Sequence, residues 1–313
     1  MKTVHRVVAC ALGAWILCAA AEPAPAPAPE IFAPGVISGP SSDADAAFTP
    51  DGATLVFSRD GAILVSNRTP AGWSAPRIAP FSGRWMDAQP TLAPDGSALV
   101  FVSNRPLADG DAKHPGGNLW RVERRGDGWG EPAHLPAVVN RGASIWGPSV
   151  AADGSLYFMD RVDGKGSFKL WRAQRRDGTW QEPVPQSLGD PAMQQVDPTV
   201  APDESFIVFS AKHPDTDEHE RLYIAFREGT GWGTAIDLGA PVNLDGNDSN
   251  ESRLAPDGRT LYFTSDRQVP IRYPRTPAQA EADLARIAAW DDGNQNIWRV
   301  SLAPWLDARR KGG

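Results

Sequence analysis

The side chains able to do chemistry fall into two sets. The first is defined by position: six residues ahead of the aspartates Asp51, Asp95, Asp153, Asp203 and Asp257 stand Asp45, Gln89, Gly147, Asp197 and Glu251. Three carboxylates at one repeated offset repel each other if the fold brings them together, unless a cation, an arginine or a cationic ligand balances them. Basic residues closing the segments that follow, Arg105, Arg161, Lys212 and Arg267, are the expected internal partners. The second set lies in two insertions. Pro106–Gly117 holds Asp109, Asp111 and His114, and Lys212–Glu220 holds His213, Asp215, Asp217, Glu218 and His219. Imidazole and carboxylate together are ligands for a divalent cation. Their spacing matches no ligand signature, so a solvated charged loop is the plainer reading and no cofactor is expected.

Other chemistry has little support. There is no G-x-S-x-G elbow, HExxH, phosphate-cradling glycine loop or dinucleotide fingerprint. Asp245–Glu251 (DGNDSNE) has oxygen ligands at alternate positions like a calcium loop, but Asn250 stands where that loop needs glycine. Arg176–Trp180 (RDGTW) matches only the tail of a sialidase Asp-box. A glycan-cleaving hydrolase needs two carboxyl groups about 5–9.5 Å apart. Asp45, Asp197 and Glu251 are the candidates for that role.

These residues sit in a chain of 313 residues with a net charge of −7, which argues against nucleic-acid or anionic-membrane binding. Its start reads as a secretory leader: MKTVHR, an apolar run too short to span a membrane, and a small-x-small site at Ala19 and Ala21. Cleavage there removes Lys2 and Arg6, taking the charge to −9, and removes both cysteines, Cys10 and Cys18. Cys18 follows Ile16-Leu17, a poor lipoprotein context, so the mature chain is expected free in the periplasm or secreted, monomeric and without disulfides. The expected organisation is a signal peptide over 1–21, a stiff Ala/Pro spacer over 22–30 and one domain over 31–313.

The elements that position the candidate residues come from an internal repeat. Turns recur at Pro50-Asp51-Gly52, Pro94-Asp95-Gly96, Ala152-Asp153-Gly154, Pro202-Asp203-Glu204 and Pro256-Asp257-Gly258. Each leads into a β-rich run, among them Thr54–Ser58, Leu99–Ser103 and Leu261–Ser265, and then into a third strand such as Asn118–Arg124. A fourth strand is expected to open at Gly72-Trp73, Gly128-Trp129, Thr179-Trp180 and Gly231-Trp232, the tryptophans packing between neighbouring sheets. Four strands per period of roughly fifty residues is the pattern of a β-propeller blade. The fifth unit lacks its fourth strand, and Ile31–Ser38 resembles one, so an N-terminal strand is expected to close a ring of five four-stranded blades. The alternative of six blades needs a unit that the sequence does not contain. The strings FTPDGATLVFS, LAPDGSALVFVSNR and LAPDGRTLYFTSDR resemble PD40 repeats, the WD40-like repeats of TolB-like bacterial propellers. The resemblance covers residues 43–302 and implies a binding platform of the bacterial envelope.

Blade geometry sorts the connections into two faces. One carries the short Asp-Gly turns; the other carries every long insertion, and long loops on a rigid scaffold commonly carry function. In the insertion Gln268–Gln295, Thr276 as N-cap and Pro277 as first helical residue predict a helix whose Leu284, Ile287 and Ala288 face the propeller. The leading expectation is an exported module binding a protein or glycan ligand on the long-loop face. Its rivals are the hydrolase above and a scaffold in an envelope protein complex.

Overall fold

A computed structural model describes residues 27–107, 112–114, 116–142, 144–161, 167–213 and 217–312. It is an all-β propeller of five blades. The innermost strands are Asp43–Phe48, Asp87–Leu92, Trp146–Val150, Gln194–Val200 and Asn250–Leu254, and each pairs antiparallel with the strand after its Asp-Gly or Asp-Glu turn. The expected second strands appear with one or two residues added, at Thr54–Arg59, Ala98–Ser103, Leu156–Arg161, Phe206–Lys212 and Thr260–Ser265.

Closure works as the incomplete fifth unit predicts, over a shorter ladder. Glu30–Ile31 pairs with Trp298–Arg299, and Phe32 N donates to Ile297 O at 2.9 Å. The rest of Ile31–Ser38 folds back on itself, with Ile37 fully buried. Phe32 then meets Phe48, Trp73 and Tyr262 at ring-centroid distances of 5.9, 5.8 and 4.9 Å. The first and last blades are thus joined by an aromatic cluster as well as by a ladder.

The Gly-Trp segments are not the starts of the fourth strands. Gly72-Trp73, Gly128-Trp129, Thr179-Trp180 and Gly231-Trp232 each extend the hairpin of the third strand. The outer strands come after a bend, as two-residue pieces at Arg77–Ile78, Ala133–His134, Val184–Pro185 and Ile236–Asp237. Pro76, Pro132 and Pro183 follow three residues after three of these tryptophans. A proline has no N–H to give the ladder, which breaks one expected strand into two. Each tryptophan pairs across the hairpin with an arginine whose guanidinium lies over the ring: Arg68, Arg124, Arg175 and Arg227, at 5.3, 5.3, 5.5 and 3.8 Å.

The helix of the last insertion runs Pro277–Ala289 and is capped as read: Thr276 and Gln279 form a reciprocal capping box. Its orientation is not as expected. Leu284 is 62% exposed and Ala288 is exposed as well, with no helical residue fully buried. The helix is held by charge: Arg286 bridges Asp283 and Asp291, and Arg275 joins Asp283. Trp290, just past its end, is the buried anchor, edge-on to Trp298 at 5.9 Å. A second helix, Ala303–Gly312, was not read from the sequence. It follows the last strand and packs Trp305 and Leu306 against the core between blades four and five. Among the described residues, no helix is long and apolar enough to cross a membrane.

Candidate functional site

The five positions six residues ahead of the turn aspartates share one unusual backbone. In every innermost strand the register slips so that two residues oppose one, and the first of the two has positive φ: 58° at Asp45, 52° at Gln89, 60° at Gly147, 49° at Asp197 and 45° at Glu251. A bulge of this kind re-aims a side chain out of the ladder. Left-handed backbone at a residue other than glycine costs about 1–3 kcal/mol, so four such residues need strong compensation. In blade three glycine is required: a Cβ at Gly147 would lie 3.1 Å from Pro198 Cδ and 3.3 Å from Asp197 Cα. The sequence signal for these bulges was proline inside an innermost strand, at Pro90, Pro148 and Pro198.

The compensation is a network linking the blades. Gln89 Nε2 donates to Asp197 Oδ1 at 2.8 Å, and Gln89 Oε1 accepts from Gly147 N at 2.7 Å. Ser58 donates to Asp45 Oδ2 at 3.0 Å and accepts from Gln89 N at 3.0 Å. Arg253 Nη2 stands 2.9 Å from Asp45 Oδ1 as an ion pair, while its Nε and Nη1 donate to Pro90 O and Ser252 O. Asp45 and Asp197 are 2% and 4% exposed, and Arg253 4%. Glu251 Oε2 is shielded from solvent and has no hydrogen-bonding partner.

Four carboxylates feel one another here, because Glu220 acts on both Asp197 and Glu251. Burial pushes Asp197 up to about 8, helped by the Glu220 and Asp45 carboxylates and opposed by Arg253. Burial, then Asp45 and Asp197, hold Glu251 well above the usual carboxylate range. Burial also raises Asp45 against the pull of Arg253, and raises Glu220. The Asp197 carboxyl therefore retains its proton at neutral pH. Arg253 and Glu220 lie outside the repeated offset that marks the other ring residues. Arg253 occupies the position that is Ala47, Thr91, Ser149 and Thr199 in the other blades, and its charge there was the available signal.

The arginines expected to balance the ring serve a different acid register. Arg105 Nη2 pairs with Asp87 at 2.7 Å and lies over Phe101 and Trp120. Arg59 does the same for Asp43 at 2.6 Å. Arg267 donates to Ser265, Ser249 and the carbonyls of Pro241 and Val242. Asp43, Asp87 and Ser249 stand eight residues ahead of their turn aspartates, two before the ring; ordinary alternation would give both positions one face, and the bulge turns the ring residue away from it. The guanidinium of Arg161 lies over Phe168 at 4.6 Å, and Lys212 donates to Glu218 O at 3.3 Å.

The loop candidates do not converge. His114 is engaged with Gly116 in its own loop. His213 and His219 face different acids, Asp190 at 3.9 Å and Asp248 at 3.7 Å. Asp109, Asp111 and Asp215 lie outside the described residues. Within Asp245–Glu251 the side chains are used internally: Asp248 accepts from Glu220 N at 2.7 Å and Asn247 donates to Asp266 at 3.2 Å. Among the described residues, no group of three or more His, Cys, Asp or Glu side chains is placed to hold a metal ion.

On the turn side of the ring the axis opens into a cavity of about 150 Å³. Phe48, Leu92, Val150 and Leu254 form its apolar collar, and Arg253 is among its lining residues. The long-loop side carries the last insertion with Val269, Ile271, Tyr273 and Leu284 exposed, Tyr273 at 73%.

No family model and no curated protein matches the chain. Solved structures match its fold. An α-L-arabinofuranosidase from Lactobacillus brevis superposes with a TM-score of 0.53 at 14% identity, covering 87% of this chain and 92% of that one. A thermostable family-43 glycoside hydrolase gives 0.52 at 14%, covering 75% and 86%. A putative TolB from Agrobacterium tumefaciens gives 0.49 at 13%, covering 84% and 91%. The two matches above 0.5 show a shared fold.

Proposed function

We propose that this chain is an exported binding module of the bacterial envelope that holds a protein partner on its long-loop face. The observation that carries this reading is the last insertion. It is braced by the Arg275–Asp283–Arg286–Asp291 ion pairs and a capping box, yet presents Tyr273 and Leu284 to solvent. Rigid presentation of large apolar side chains lowers the ordering cost of association, and aromatic residues dominate interface energetics. The buried axial acids, engaged with Gln89, Ser58 and Arg253, serve here to tie the blades together. Replacing Tyr273→Ser and Leu284→Ser together should leave far-UV circular dichroism and thermal stability unchanged while abolishing site-specific photo-crosslinking from position 271 in the producing cell. An unchanged crosslinking pattern refutes the assignment of this face.

A hydrolase is the second reading, favoured by one arrangement: the Asp197 and Glu251 carboxyls are buried beside Asp45, and burial raises both above the usual carboxylate range, the direction a general acid requires. The purified chain should then release 4-nitrophenol from 4-nitrophenyl α-L-arabinofuranoside or a related aryl glycoside, and Glu251→Gln should abolish release. Absence of turnover across a panel of aryl glycosides and arabinan ends this reading.

A further inference from the structure

The interface between blades two and three departs from the others in two residue choices, and from the three other interfaces that carry a hairpin tryptophan in a third way. Three residues after the turn aspartate, blades one, three, four and five carry Thr54, Leu156, Phe206 and Thr260, whereas blade two carries Ala98. One residue before it, four blades carry proline and blade three carries Ala152. These two alanines, from different blades, line one cleft of about 440 Å³ on the turn face. That volume lies within the range of roughly 300–1,000 Å³ typical of small-molecule sites.

The third departure concerns the hairpin tryptophan. Trp73 meets Phe32 of the preceding sheet at 5.8 Å, Trp129 meets Phe81 at 6.0 Å and Trp232 meets Tyr157 at 6.3 Å. Trp180 lines the cleft, and among the described residues it has no aromatic neighbour from blade two. Leu135, Val100 and Leu156 supply the apolar wall. Two guanidinium groups, Arg121 and Arg175, line the cleft; Arg121 Nη2 pairs with Glu123 at 3.0 Å and Arg175 Nη2 donates to Gly178 O at 2.9 Å, while the one lining carboxylate, Asp95, accepts from Ser97 N. Arg121 Nε is shielded and has no hydrogen-bond partner.

We propose that this cleft binds a small aromatic acid, its ring taking the place filled elsewhere by a ring of the preceding blade, and its carboxylate meeting Arg121 and Arg175. The same chemistry is offered by a free arylalkanoic acid and by a peptide ending in phenylalanine. Titration with 3-phenylpropionate and with Gly-Phe, followed by tryptophan fluorescence and calorimetry, distinguishes these sources by which binds more tightly. Saturable binding of at least one is expected. Ala98→Phe, which copies blade four, should weaken it by about tenfold or more, since the cleft is then occupied. Arg121→Gln should weaken 3-phenylpropionate by about tenfold while leaving 3-phenylpropanamide unchanged, because only the acid makes a charge-assisted bond. If Ala98→Phe does not fold, Ala98→Leu and Ala152→Pro, each taken from another blade, test the same occupancy. No saturable binding of either acid at millimolar concentration overturns the proposal, as does undiminished binding by a folded cleft-filling variant.

Discussion

The carboxamide of Gln89 lies between two blades that are not its own, donating to Asp197 at 2.8 Å and accepting from the backbone N–H of Gly147 at 2.7 Å. One side chain thereby satisfies a buried carboxylate of blade four and a buried N–H of blade three. Gln89→Leu should remove both bonds and leave both groups unsatisfied, lowering stability by about 2–5 kcal/mol. Urea denaturation with an unchanged m-value checks this, since a change in m would mean that the folded state itself had loosened.

The ring also sets a pH dependence. Asp197 is raised from an ordinary carboxylate value to about 8, so between about pH 4 and 8 the folded chain holds a proton that the unfolded chain has released. Its contribution to stability is fully present below the unfolded value and is lost as pH rises through the folded one. Asp197→Asn, neutral throughout, should therefore gain stability relative to wild type between pH 5 and 8 and run parallel to it above pH 9. Thermal unfolding at closely spaced pH values measures the difference. The turn aspartates Asp51, Asp95, Asp203 and Asp257 are shifted downward, and their contribution runs the other way, fading as pH falls below the usual carboxylate range. Comparison with the variant removes this common background.

Gly147 and Gly154 provide an internal control for crowding. Both have positive φ, but a Cβ at Gly154 meets nothing within 4 Å, whereas one at Gly147 strikes blade four. Gly154→Ala should cost about 1 kcal/mol from backbone strain alone. Gly147→Ala should cost at least about 1 kcal/mol more, since Pro198 and the Asp197 backbone must move. Equal losses in chemical denaturation would show that the axis is not tightly packed there.

Glu204 explains why one turn reads Asp-Glu where the others read Asp-Gly. It adopts φ of 56°, and its carboxylate accepts from the Tyr157 hydroxyl at 2.6 Å and from Arg172 Nε and Nη2 at 2.7 and 2.8 Å, joining blades three and four. Glu204→Gly relieves the strained backbone, by about 1 kcal/mol, but breaks a bidentate, partly buried pair. A net loss of about 1–2 kcal/mol is expected by urea denaturation. Glu204→Gln, which keeps the strain and the shape without the charge, should be no more stable than Glu204→Gly.

Closure depends on Phe32, buried among three aromatic rings at the seam between first and last blades. Phe32→Ala should cost about 3–5 kcal/mol. Amide exchange in Asn296–Ser301 should accelerate more than in Asn118–Arg125, because the seam opens before the intact blades do.

The chain by itself determined the five-fold repeat, the turns and the capped helix, because each depends on local signals, and the missing fourth strand of the last unit pointed to an N-terminal strand closing the ring. Asp-Gly fixes a hairpin, alternation fixes a strand, and Thr276-Pro277 fixes a helix start. It also placed Asp45, Gln89, Asp197 and Glu251 at one structural position, since a repeat converts sequence offset into spatial equivalence. What it did not determine was which groups answer them. Arg105 and Arg267 look like partners along the chain, but they meet Asp87 and Ser249, which precede the bulges, while Arg253 of blade five, inside an innermost strand, reaches Asp45 of blade one. Only tertiary structure decided this, because the bulges that turn the ring residues inward arise where five strands meet, and no single strand contains that meeting. The exposure of Leu284 has the same origin: helical periodicity defines an apolar stripe, but the ion pairs around Asp283 and Asp291 and the anchoring of Trp290 set which way it faces.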